Sequence, residues 1–204
     1  MIVRPVDDRA ELVMQVDHAV LSGELAEAWG GDAVAPLAPR ESVILAARLH
    51  DAGWRGWESA PVLDAAGRPT NFLQIDVREH LVFYRAGVED VLARDRHAGM
   101  LVAKHAAGIY TGRYGTQPAM LLSRAPEQQA AVDAFIAEME ALYGGLQAEL
   151  GVADDAFWTS YLLLQVFDRL SLWLCKGDPA GTGRMEILLP GERTLVIEPV
   201  EGGA

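Results

Sequence analysis

The sequence predicts an all-α helical bundle in a single domain, with a small C-terminal β-hairpin. Three observations carry this. Long stretches with apolar residues at helical spacing alternate with Gly- and Pro-rich breaks. The stretch from Tyr161 to Cys175 is apolar nearly all round, which marks a helix buried by its neighbours. Near the C-terminus, Arg184 to Leu189 and Thr194 to Pro199 alternate in polarity around Pro190-Gly191-Glu192-Arg193, the pattern of a hairpin.

Each element follows in order. Met1 to Val6 is short and β-branched and reads as an edge strand. Asp7 or Asp8 offers a carboxylate to cap a first helix that runs to about Trp29 and stops at Gly30-Gly31. Gly30 to Pro39 reads as a loop. A second helix starts near Arg40, carries Val43, Ile44, Ala47 and Leu49, and ends near Asp51 with Gly53 as its stop. Trp54 to Asn71 reads as a long loop broken by Pro61, Gly67 and Pro69, and loops of that length are often functional. Asp76 caps a third helix to about Arg94. A fourth runs from about His97 to Tyr110, and a Gly-rich loop follows. Pro126 suits the first turn of a fifth helix, to about Leu150. A sixth spans about Asp154 to Lys176. The helical core is thus about 8–176 and the β appendage about 183–199. An isolated hairpin is marginal, so Met1 to Arg4 is expected to pair with it.

Composition narrows the function. The 204 residues carry 17 Lys and Arg against 29 Asp and Glu, a net charge of −12. That balance argues against non-specific nucleic-acid or anionic-membrane binding. Half the residues are hydrophobic and 23% are charged, as in a globular core rather than a disordered chain. A single cysteine, Cys175, leaves no internal disulfide. The start has no apolar run after a basic region, and Tyr161 to Cys175 is interrupted by Asp168 and Arg169 and is too short for a span of about 20 residues. The expectation is a cytoplasmic protein with no membrane partner.

The chemistry sits in the helices. Asp168 falls in the middle of the most apolar one, and a buried carboxylate needs a cation. Arg169 points about 100° away on a helix, so a metal ion or a distant Arg or Lys must serve. His50-Asp51 ends the second helix, where the helix dipole disfavours an anion. His18 has Met14, Gln15, Leu21 and Ser22 at helical spacing, His105 has Leu101, Val102 and Ile109, and His80 has Val77, Phe83 and Tyr84. Each alone is an ordinary core histidine. Together they place one inward histidine on each of four helices and a carboxylate on a fifth, a ligand set for borderline divalent metals.

The order His18, His50-Asp51, His80, His105, Asp168 resembles the HD superfamily, all-helical metal-dependent enzymes that are mostly phosphohydrolases. The two histidines between the pair and the last Asp resemble its two-metal members. More closely, QVDHAVLSGELAEAWG, LHDAGWRGWESAP and FDRLSLWLC resemble, over nearly the whole chain, an uncharacterised bacterial family of unknown function with an HD-like pattern. The resemblance implies one ion on His18, His50, Asp51 and Asp168, and a second on Asp51, His80 and His105. Asp51 would bridge both ions as the catalytic hub. His97 competes with His80, but follows the polar Arg94-Asp95-Arg96 junction. Iron or manganese come first as cofactors, with magnesium, nickel or zinc as alternatives.

Many superfamily members follow the pair with Gly-Lys; here it is Gly53-Trp54, and there is no Gly-Tyr-Pro motif. Arg55 and Lys104 are left to meet an anionic small-molecule substrate, and Trp54 and Trp57 to stack on a base or sugar. The implied activity is hydrolysis of a phosphate ester or nucleotide by a metal-bound hydroxide. A di-iron oxygenase uses the same ligand types, and a non-enzymatic helical binding module is the third alternative. The hairpin edge offers a surface for a homodimer.

Overall fold

The computed structural model describes residues 1–7, 9–31, 34–60, 62–111, 125–177, 183–191 and 193–198. Six long helices form the body: α1 (Gln15–Ala28), α2 (Arg40–Leu49), α4 (Val77–Arg94), α5 (Arg96–Gly108), α6 (Pro126–Leu150) and α7 (Asp154–Lys176), with a single-turn α3 (Arg55–Glu58) between α2 and α4. None of the described helices is long and apolar enough to cross a membrane.

Helix α5 is the axis. Every residue from Ala98 to Gly108 is buried, and α2, α4, α6 and α7 pack around it. Its Asp95 cap accepts the Ala98 amide at 2.7 Å. Val43, Ala47, Leu101, Val102, Val132, Phe135, Leu163 and Leu164 join into one apolar core. Pro126 occupies the first turn of α6, and Gly151 ends that helix in the left-handed conformation at φ 65°.

The N-terminus departs from expectation. Residues 1–6 do pair as a strand, but with the segment that follows. Strands β1 (Ile2–Val6) and β2 (Arg9–Val13) form an antiparallel hairpin, in register Ile2 to Val13. Asp7 lies in its turn at φ 50°, so it caps no helix. Residue 8, the alternative cap, lies outside the described residues. Helix α1 starts at Gln15 instead, and Glu58 from α3 supplies the capping carboxylate. It accepts the Gln15 amide at 2.6 Å and the Val16 amide at 3.3 Å. β-branched residues on both short segments favour a locally closed hairpin over a helix through the same residues.

The C-terminal hairpin is β3 (Met185–Leu189) with β4 (Arg193–Ile197), a separate sheet that does not recruit β1. Met185, Ile187 and Leu189 face inward, and β3 packs on α7. The stretch 54–71 is more structured than expected. It holds α3, a bridge between Leu63 and Pro69, and then a 3-10 turn at Phe72–Gln74. The Gly-rich loop expected after Tyr110 lies outside the described residues.

Gly53 is no left-handed helix stop. It sits in a 3-10 turn, Ala52–Trp54, pressed on α4. A Cβ there would stand 1.8 Å from the Phe83 carbonyl oxygen and 2.9 Å from the Gly87 amide. Only glycine lets the backbone after His50-Asp51 lie flat on α4.

Candidate metal centre

Four helices and one helix end aim polar groups at a single point in the core. On α1, Gln15, His18 and Ser22 share a face; on α7, Gln165, Asp168 and Ser171 do. His50 and Asp51 follow the last turn of α2, α4 contributes His80 and Tyr84, and α5 contributes His105. All are buried.

The tightest group is His18, His50, Asp51 and Asp168. His18 Nε2 lies 3.0 Å from Asp51 Oδ2 and 3.9 Å from Asp168 Oδ1. His50 Nε2 lies 3.6 Å from Asp51 Oδ2 and 3.5 Å from Asp168 Oδ1, and no hydrogen bond satisfies it. Donors bound at about 2.0–2.2 Å to one ion stand about 3.0–3.5 Å apart, a spacing that His18–Asp51 and His50–Asp168 match and that His18–Asp168, at 3.9 Å, exceeds. His18, His50 and Asp168, and likewise His50, Asp51 and His105, each present one ligand atom within 4.8 Å of the others.

Hydrogen bonds behind the rings set the tautomers. His50 Nδ1 donates to the Ala47 carbonyl at 2.8 Å, which turns Nε2 towards the carboxylates. The Ser171 hydroxyl donates to the Asp168 carbonyl at 2.9 Å and so accepts from His18 Nδ1 at 2.8 Å. Ser22 braces Ser171 at 2.7 Å. The Gln165 amide meets His105 Nδ1 at 3.0 Å. Turned with its carbonyl to the ring, it accepts the Nδ1 proton and frees Nε2. Gln15 reaches Asp51 Oδ2 at 3.4 Å, and Tyr84 donates to Asp51 Oδ1 at 3.1 Å.

The electrostatics of the cluster centre on two buried carboxylates and the histidines beside them. Burial raises the Asp51 carboxyl, but His50 and His18 outweigh it and hold it down at about 2. Burial likewise raises Asp168, and contact with His50 holds it well below the usual carboxylate range. For His50, burial lowers the value, while the charges of Asp51 and Asp168 raise it to about 9. His105 is lowered to about 4 by burial and by the neighbouring His50 charge. Burial and the Asp51 charge push the Tyr84 phenol well up.

A family model described as "Protein of unknown function (DUF3891)" matches residues 1–203. The chain belongs to the DUF3891 family. No curated protein and no solved structure matches it.

Of the sequence-predicted residues in this DUF3891 chain, His18, His50, Asp51, His105 and Asp168 converge. His80 flanks them. Its Nδ1 pairs with the Tyr110 hydroxyl, its Nε2 has no partner, and burial lowers it to about 4. His97 sits at the start of α5, eight positions and about 12 Å along the axis from His105. Trp54 is buried, 5.0 Å from the His80 ring between ring centroids, and Trp57 packs on Trp54 and Phe83. These tryptophans wall the site through packing. Arg55 is exposed, in a groove with Asp17 and Arg48. Lys104 turns away from His105 and rests over the rings of Tyr143, Trp158 and Tyr161, with the Tyr143 hydroxyl at 3.2 Å. Sequence reasoning missed Gln15, Ser22, Tyr84, Gln165 and Ser171. Their only signal was helical spacing from a ligand: Gln15 and Ser22 flank His18, and Gln165 and Ser171 flank Asp168 at three positions either side.

Proposed function

We propose that this chain is an HD-type metal-dependent phosphohydrolase acting on a phosphate ester or nucleotide. The convergence of three histidines and two carboxylates in an apolar core, with His50 Nε2 bare between both carboxylates, carries this reading. His18, His50, Asp51 and Asp168 would hold one ion, and Asp51, His80 and His105 a second. Iron or manganese suits the mixed imidazole and carboxylate set.

Divalent ions there would acidify water and polarise a phosphoryl oxygen. The chain's own part is positioning. Asp51 presents two oxygens to two positions. Ala47 and Ser171 fix the His50 and His18 rings through Nδ1. With both positions filled, +4 from the ions against −2 from the two aspartates would leave +2 to draw an anionic substrate.

The test is metal content of protein purified without chelator, followed by a screen of phosphate monoesters, diesters and nucleotides. Bound divalent metal and phosphate release, both lost in Asp51→Ala, are expected. Full metal and activity in that variant would refute the assignment. Two equivalents of iron with oxygen uptake and no phosphate release would replace hydrolysis by oxidation at the same ligands.

A further inference from the structure

The first ligand group brings only ring nitrogens and carboxylate oxygens together, whereas a phenol stands among the residues of the second. Asp51 Oδ1 accepts a hydrogen bond from Tyr84 at 3.1 Å. The Tyr84 ring stands edge-on to His80 with centroids 4.8 Å apart, and 6.2 Å from the His105 ring. Asp51, His80 and His105, the three residues that would hold a second ion, all surround this one phenol. His80 Nε2 is buried with no hydrogen-bond partner. An ion bound about 2.1 Å from Asp51 Oδ1 on the line of that hydrogen bond would lie about 1 Å from the phenol oxygen. The two cannot share the place.

We infer that the Tyr84 hydroxyl fills the second metal position, so that this chain holds one ion tightly and a second only weakly. The inference rests on the two-position reading of the cluster. The first position keeps its donors whatever Tyr84 does, because Asp51 faces it with Oδ2 and Tyr84 with Oδ1. Filling the second requires the phenol to swing out of a buried site, and that cost weakens the second ion alone. Tyr84 thus sets the metal count, and through it whether the site acts with one ion or two.

The test is manganese titration of wild type and Tyr84→Phe, read by calorimetry and by elemental analysis after gel filtration. Wild type is expected to retain one equivalent and bind a second at least tenfold more weakly. Tyr84→Phe keeps the ring and removes the obstructing oxygen. Its second site should tighten at least tenfold, about 1.4 kcal/mol. Adding His105→Ala to that variant should abolish the second equivalent and spare the first. Two equal, tight ions in wild type would overturn the inference without any variant. So would an unchanged second affinity in Tyr84→Phe, or loss of both ions, which would make the phenol a ligand. Failure of either protein to bind any ion would overturn the proposed function as well.

Discussion

Gly53 ties the metal ligands to the bundle, and replacing it tests that tie. Its φ is not in the left-handed region, so alanine meets no backbone penalty there. The cost is steric. The added Cβ would lie 1.8 Å from the Phe83 carbonyl oxygen and 2.7 Å from its carbon. An ordinary C···O approach is about 3.3 Å, so the turn must retreat from α4 by about 1.5 Å. Backbone on both sides leaves no flexible side chain to yield. Overpacking of this kind costs about 3 kcal/mol or more. Asp51 lies two residues away, and metal ligands tolerate displacements of only about 0.2 Å. Gly53→Ala should therefore lower the unfolding free energy of chelated protein by about 3 kcal/mol in urea. It should also weaken manganese binding at least tenfold. Gly56→Ala is the control, because its Cβ would meet nothing within 4 Å. A Gly53→Ala protein within 1 kcal/mol of wild type and with unchanged metal affinity would refute the reasoning.

Metal-free protein should lose stability as pH rises through about 9. His50 is raised above its unfolded value of 6.5, so its contribution is complete below 6.5 and gone above 9, on the order of 3 kcal/mol. Denaturant unfolding in chelator between pH 6 and 10 measures it, and a flat profile would remove the electrostatic case for a cation. Asp51 is depressed, so its contribution stands above 3.8 and fades as pH falls through about 2. Ser171→Ala takes the acceptor from His18 Nδ1 and should weaken metal binding about 10- to 100-fold without unfolding the chain. His97→Ala should leave the retained equivalent of metal unchanged, while His18→Ala should lower it; elemental analysis of both variants decides.

The helices and most of the residues that cluster in the core were legible because both follow from spacing along one chain. A carboxylate in an apolar helix, Asp168, and a histidine on the apolar face of α5, His105, violate the local pattern. Such violations mark sites. The supporting groups violate nothing. Ser171 and Gln165 read as ordinary polar residues until α1 and α5 are packed against α7. Glu58 looked like a loop carboxylate, yet it is buried and caps α1 across 43 positions. The N-terminal error has the same origin: Asp7 suits a cap or a turn equally, and only pairing with β2 decides. Lys104 and Arg55 were assigned by proximity in sequence to ligands. Neighbours on a helix diverge by about 100°, which is how Lys104 reaches Tyr143 rather than the cluster.

Orphaned polar atoms extend the argument from electrostatics. Native interiors leave few buried polar atoms unsatisfied, and each such atom costs about 1–3 kcal/mol. Gln15 Oε1, His50 Nε2 and His80 Nε2 are buried without a partner and belong to this cluster or touch it, as does Trp54 Nε1 beside His80, whereas His97 Nε2 is orphaned away from it. Scattered, they would be incidental. Concentrated around Asp51 and Asp168, they form a set of polar atoms beside two buried negative charges. A proton on His50 neutralises one of those charges and leaves the other. A divalent ion satisfies the imidazole lone pairs and both carboxylates at once, and water on that ion supplies a donor for the Gln15 amide oxygen. The same core that makes apolar sense for α5 and α7 carries, at Asp51 and Asp168, a buried polar cluster that could hold a cation.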